Sequence, residues 1–187
     1  MSAADPPPSP PGARAHGALV FTDLAGFTAF TAERGDGAAL ALVEQFETIA
    51  RSVLPAGARV VKQLGDGLFL FFAAPAVAIP TALRLSSACA SASRQDFPLW
   101  VRTGVHVGTA LQRGDDLIGH DVNVAARITD VAAAGEVLVS DSARQCDGLG
   151  PGLRFQPLGP VYVKGMNDPL RLYRASHDSE ELSLVRL

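Results

Sequence analysis

Apolar and polar positions alternate along this chain in two periods, and the changes of period mark its elements. The run Ala18-Leu19-Val20-Phe21 leads into Thr22-Asp23 and the turn Leu24-Ala25-Gly26-Phe27-Thr28, as a strand that breaks into a loop does. Beyond it, Ala39, Leu42, Phe46, Ile49 and Val53 recur at helical spacing, and Pro55 and Gly57 end the stripe. Arg59–Leu64 and Leu68–Phe72 read as two strands joined by the tight turn Gly65-Asp66-Gly67. Ala76–Ala92 predicts a helix, with Pro80 tolerated only in its first turn. From Trp100 to Gln112, Val101, Thr103, Val105 and Val107 alternate with Arg102, Gly104, His106 and Gly108, a strand pattern. Asp121–Val131 reads as helix and Val137–Ser140 as strand, while Val161–Val163 and Leu170–Tyr173 complete the sheet. The order β-α-β-β-α-β, with a further αβ portion, predicts a ferredoxin-like α+β sandwich with helices on one face of an antiparallel sheet. The other sheet face needs cover, and a second copy of the chain is the candidate.

Composition narrows the class. The 187 residues, 48% of them apolar, suit one domain with a real core. A net charge of −3 and the lack of any basic block argue against nucleic acid as a partner. Cys89 and Cys146 have neither metal nor disulfide spacing, and Cys89 lies in an apolar stretch that reads as core. No run reaches membrane-spanning length and the start lacks the apolar centre of a signal peptide, so no membrane insertion and a cytoplasmic location are expected. The proline-rich start cannot bury much surface, which divides the chain into a disordered arm over 1–16, a folded domain over 17–176 and a tail over 177–187.

Four groups of side chains carry chemistry. Asp23 and Asp66 each stand where an apolar strand meets a glycine-containing turn, a placement suited to Mg²⁺-type cations. Taken singly, Asp23 reads as a helix cap and Asp66 as a turn residue. Gly26, Phe27 and Thr28 begin a helix whose free N–H groups can receive phosphate. Lys62 lies in a mostly apolar strand, free to snorkel or to pair with Asp66, and Asp116 stands in a polar turn. Asn123 and Arg127, four apart, share a helix face among alanines. Lys164 precedes Gly165 and is uninformative alone.

Four segments in this order resemble the class III nucleotidyl cyclases, over roughly Ala18 to Ala175. They are "FTDLAGFT", "KQLGDG", "VRTGVHVG" and "DDLIGHDVNVAAR". The resemblance implies a cyclase palm domain of the adenylyl type. Asp23 and Asp66, with the Leu24 carbonyl, would hold two divalent cations per site, Mg²⁺ or Mn²⁺. Gly26, Phe27 and Thr28, with Arg102 and Lys164, would grip the phosphates of ATP. Lys62 and Asp116 would read adenine, where guanylyl cyclases of the family usually carry Glu and Cys. Asn123 would orient the ribose, and Arg127 would stabilise charge at phosphorus. The family's geometry implies a head-to-tail homodimer, with the metal aspartates from one chain and Lys62, Asp116, Asn123, Arg127 and Lys164 from the other. The stretch between Gly108 and Asp116 is short, as in the short-arm subclass, and any regulation would fall to a partner outside the chain. Two other readings stand beside an adenylyl cyclase: a catalytically silent cyclase-like module that binds nucleotide or a partner, and a palm-type cyclase making a cyclic dinucleotide.

Overall fold

The computed structural model describes residues 12–166 and 168–178. Its strands are β1 (Arg14–Leu24), β2 (Ala58–Leu64), β3 (Gly67–Phe72), β4 (Val101–Arg113), β5 (Asp116–Ile118), β6 (Val137–Ser140), β7 (Leu153–Val161) and β8 (Leu170–His177). Its helices are α1 (Phe27–Arg34), α2 (Asp36–Val53), α3 (Ala78–Ala92), α4 (His120–Val131) and the single turn α5 (Asp141–Arg144). The eight strands form one sheet in the order β2-β3-β1-β4-β6-β8-β7, with β5 folded back onto β4. All pairings are antiparallel except β4 with β6. The first four strands and their crossover helices make the expected ferredoxin-like unit, and α4 through β8 are the additional portion.

Strand β1 lies inside the sheet between β3 and β4 and is buried on both faces over Gly17–Val20, which explains its unbroken apolar run. Ala18, Val20 and Leu24 face a core shared with Phe30, Leu42, Phe46, Ile79 and Leu85 of α1, α2 and α3. Cys89 lies in this core, and burial pushes its thiol up to about 12, so it is an inert packing residue. Leu19 faces the other way, into a second cluster with Phe69, Phe71, Ala110, Leu117, Val122 and Ala125. Phe21 joins that side by stacking on Phe69, with ring centroids 4.3 Å apart.

The second cluster corrects the expectation of helices on one face only. Helix α4 and strand β5 cover part of the opposite face, and glycines in β4 allow it. A Cβ at Gly104 would collide with the Thr129 backbone, and one at Gly108 with the Asp121 carboxylate. The helix is then tied at both ends. Asp121 Oδ2 accepts from the Thr109 amide at 2.7 Å, and Thr129 Oγ1 donates to the Phe21 carbonyl at 3.2 Å.

Two boundaries also differ from the sequence reading. Arg14, Ala15 and His16, assigned to the disordered arm, extend β1 and pair with Leu111, Ala110 and Thr109. The expected strand over Val161–Val163 instead runs from Leu153 to Val161. Pro157 and Pro160 argue against a strand there, but β7 is an edge strand with an irregularity between Pro157 and Gly159, where proline is tolerated. The arm over 1–11 and the tail beyond Asp178 lie outside the described residues.

Candidate active site

The two aspartates converge through sheet registry. Asp23 pairs across the ladder with Gly67, directly after Asp66, and the Leu24 amide donates to the Asp66 carbonyl at 3.2 Å. Gly65, at φ 64°, and Asp66 form the two-residue hairpin loop that presents the second carboxylate. Both carboxylates line a cavity of about 170 Å³, whose far wall is Ala126, Thr129 and Asp130 of α4. Burial, helped by the charge of Asp23, raises the Asp66 carboxyl above its ordinary value against its own backbone hydrogen bond and Arg102.

Arg102, expected at the phosphates, is engaged with Asp23. The two are cross-strand partners, and Arg102 Nε and Nη2 reach Asp23 Oδ1 and Oδ2 at 2.6 and 3.0 Å. This bidentate bond is the main reason the guanidinium is held above its ordinary range, opposed by burial and reinforced by Asp23, Asp130 and Asp66.

Lys62 does not pair with Asp66. Its Nζ donates to Asp116 Oδ2 at 2.7 Å, across from β2 to the tip of the β4–β5 hairpin. Burial pushes the Asp116 carboxyl up, but Lys62, the Leu117 amide and Arg113 together leave it below the usual value. Asn123, Arg127 and Lys164 line a separate cavity of about 210 Å³ with His120, Val124, Gly165 and Met166. Helix α4 is the partition: Ala126, Thr129 and Asp130 face the aspartate cavity, and His120, Asn123 and Arg127 face the other. Gly26, at φ 77°, stands at the N-cap of α1, so the Phe27 and Thr28 amides begin that helix as expected.

Residues 14–176 match the profile of the adenylate and guanylate cyclase catalytic domain. The chain belongs to this family. It is 34% identical over 167 residues, 88% of its length, to a pH-sensitive adenylate cyclase of Mycobacterium tuberculosis, and 38% identical over 120 residues, 64% of its length, to an adenylate cyclase of Streptomyces griseus. It spans 41% and 29% of those two relatives, so its likeness is to one portion of longer proteins. A solved structure of Trypanosoma brucei adenylate cyclases in their monomeric state shares the fold, with a TM-score of 0.77 at 22% identity over 89% of this chain and 90% of that one.

Cyclase domains of this family bind nucleotide, typically dimerise and generally use divalent metal ions. The residues present suit such ions. Two carboxylates share one cavity, and both offer hard oxygen donors. Among the described residues no cluster of three or more His, Cys, Asp or Glu side chains that could hold a metal is present. No helix among the described residues is long and apolar enough to cross a membrane.

Two features escaped the sequence reading. The first is Asp130. It accepts from Arg127 Nη1 at 2.8 Å and also lines the aspartate cavity, so it links that cavity to a residue lining the other. His106 is half-buried beside α4, with Nδ1 2.9 Å from Ser140 Oγ and Nε2 3.8 Å from Asp121 Oδ1. Burial, with a contribution from His120, keeps its imidazole below its ordinary value despite Asp121. The glycines flanking it in the strand pattern were the available signal, since they mark where another element comes close.

Proposed function

We propose that this domain is an adenylyl cyclase that converts ATP to 3′,5′-cyclic AMP and pyrophosphate. The observation that carries the reading is the Lys62–Asp116 pair at 2.7 Å. A lysine can donate to adenine N1 while an aspartate accepts from the exocyclic amine. Guanine offers an oxygen and a protonated nitrogen at the same places, and would meet two mismatches.

The chain's other groups fit the remaining parts of ATP. Asn123 would hold the ribose so that its 3′-oxygen faces the α-phosphorus. The new O3′–Pα bond forms as the bond from Pα to the bridging oxygen breaks, the hydroxyl proton leaves to solvent and pyrophosphate departs. Arg127 would stabilise the charge that builds on the phosphoryl oxygens, a contribution worth on the order of 10²–10³ in rate for a single donor. Lys164 and the amides of Gly26, Phe27 and Thr28 would hold the phosphates, and Arg102 would turn to them from Asp23. Divalent cations held by Asp23, Asp66 and the Leu24 carbonyl, two per site, would supply Lewis-acid charge at the reacting oxygens.

We further propose that the active unit is a head-to-tail homodimer. The aspartates and the Asn123–Arg127–Lys164 group line different cavities on either side of α4, so each supports half a site to be completed by a second chain. Leu111 and Ile118, paired across the short β4–β5 hairpin, are 41% and 38% exposed and offer apolar surface for that contact. The test is purified protein with ATP or GTP and Mn²⁺ or Mg²⁺, with cyclic nucleotide and pyrophosphate measured over a range of protein concentration. Cyclic AMP formation that rises more than linearly with protein is expected. Absence of cyclic AMP with both metals at every concentration would overturn the reading.

A further inference from the structure

Base recognition by Lys62 and Asp116 requires Asp116 to stand at a fixed place, yet it begins a strand of only three residues at a hairpin tip. The way β2 is built points to what holds it. An irregularity between Val60 and Lys62 sets Arg59 opposite Phe71 and Lys62 opposite Phe69. Both phenylalanines belong to the cluster beneath β5 and α4. Arg59 and Lys62 therefore leave β2 on one face, although a spacing of three in a regular strand would send them to opposite faces.

Both cations reach the β4–β5 hairpin. Lys62 takes Asp116, and Arg59 donates through Nη1 and Nη2 to Gln112 Oε1 at 3.5 and 3.4 Å, its guanidinium 5.5 Å over the Phe71 ring. Gln112 is only 7% exposed. Its Nε2 donates to the Gly114 carbonyl within the turn, where Gly114 takes φ 59°, and its backbone exchanges hydrogen bonds with Gly12 and Ala13. That turn is closed by the Arg113–Asp116 pair. One buried amide thus connects a fixed cation on β2 to the turn that delivers Asp116.

We infer that Gln112, anchored by Arg59, is a positioning residue that sets Asp116 against the exocyclic amine of the base and so sharpens selection of ATP. The inference rests on the adenylyl reading above. Without the Gln112 amide, the turn loses its internal tie, and Asp116 meets the amine in fewer of its conformations.

The test compares ATP with purine riboside triphosphate, which lacks that amine, in the full chain. The wild type prefers ATP. In Gln112→Ala this preference falls about tenfold, the scale of one hydrogen bond, mainly through KM. In an Asp116→Ala background the same substitution leaves the remaining preference unchanged, because the two act as a unit. Gln112→Met, which retains the packing volume, and Gln112→Glu, which retains the acceptor for Arg59 but not the donor to Gly114, follow Gln112→Ala. A preference intact in the Gln112 variants, or lost equally with and without Asp116, overturns the inference alone. A wild type with no preference for ATP, or an Asp116→Ala variant that retains it, overturns the base reading and this inference with it.

Discussion

Arg102 is the residue on which the charge balance of the aspartate cavity turns. Two carboxylates at one cavity repel each other, and in the free chain a bidentate guanidinium offsets part of that repulsion. A divalent cation entering the cavity must compete with Arg102 for Asp23. Arg102→Ala is therefore expected to bind Mn²⁺ several-fold more tightly without nucleotide, as partly screened charges a few ångströms apart dictate. On the proposed reading it should also bind ATP less well, because the arginine proposed to hold phosphate is gone. Titration calorimetry with Mn²⁺, followed by KM for ATP, checks both signs, and weaker Mn²⁺ binding would show that Arg102 orders the site rather than competing for it. The proposed base-reading pair is open to a simpler exchange. Lys62→Glu with Asp116→Cys replaces a donor and an acceptor with their opposites, and the ATP-over-GTP ratio of kcat/KM should fall by at least about tenfold. An unchanged ratio would place base recognition on other residues.

At the scale of elements, helix α4 organises the site, since it walls both cavities and is fixed to β4 at one end and to β1 at the other. The half-buried His106 beside it has a consequence for stability. The folded chain disfavours the imidazolium, whereas the unfolded chain protonates near the ordinary value of 6.5. Below about pH 6.5 the unfolded state then binds a proton that the folded state refuses, so stability falls with acidification until the lowered folded pKa is reached. Denaturant midpoints between pH 7.5 and about 5.5 should decline less in His106→Gln than in the wild type. Parallel curves would assign the decline to carboxylates. The alternation of Val101, Thr103, Val105 and Val107 made β4 legible in the sequence, and the 3.6-residue stripe did the same for α2. The position of α4 was not legible, because periodicity reports which face of an element is apolar and not which side of the sheet receives it. The meaning of Gly104 and Gly108 emerges only when Thr129 and Asp121 are seen against them. Likewise, the resemblance joined Lys62 and Asp116 in one role, but their direct bond spans 54 residues and follows the irregularity in β2, which no local pattern reports.

At the scale of the whole molecule, the separation of the aspartates from Asn123 and Arg127 makes a quantitative demand on assembly. If each site draws Asp23 and Asp66 from one chain and Arg127 from the other, Asp23→Ala and Arg127→Ala each disable both sites of their own homodimers. Mixed dimers behave differently. One of their sites joins an intact aspartate pair to an intact Arg127, and the other carries both lesions. Random pairing of equal amounts makes half the dimers mixed, each with one good site of two, so activity should return to about a quarter of the wild-type level at the same total chain concentration. Recovery should fall on dilution, in step with dimer dissociation. Leu111→Lys on the exposed hairpin should weaken it further without touching either cavity. Differently tagged chains allow mixed dimers to be captured and assayed directly, which separates a failure to pair from a failure to complement. Captured mixed dimers without activity would mean that the aspartates and Arg127 serve one chain's own site. The two cavities would then have to merge by movement of α4, the helix that now divides them.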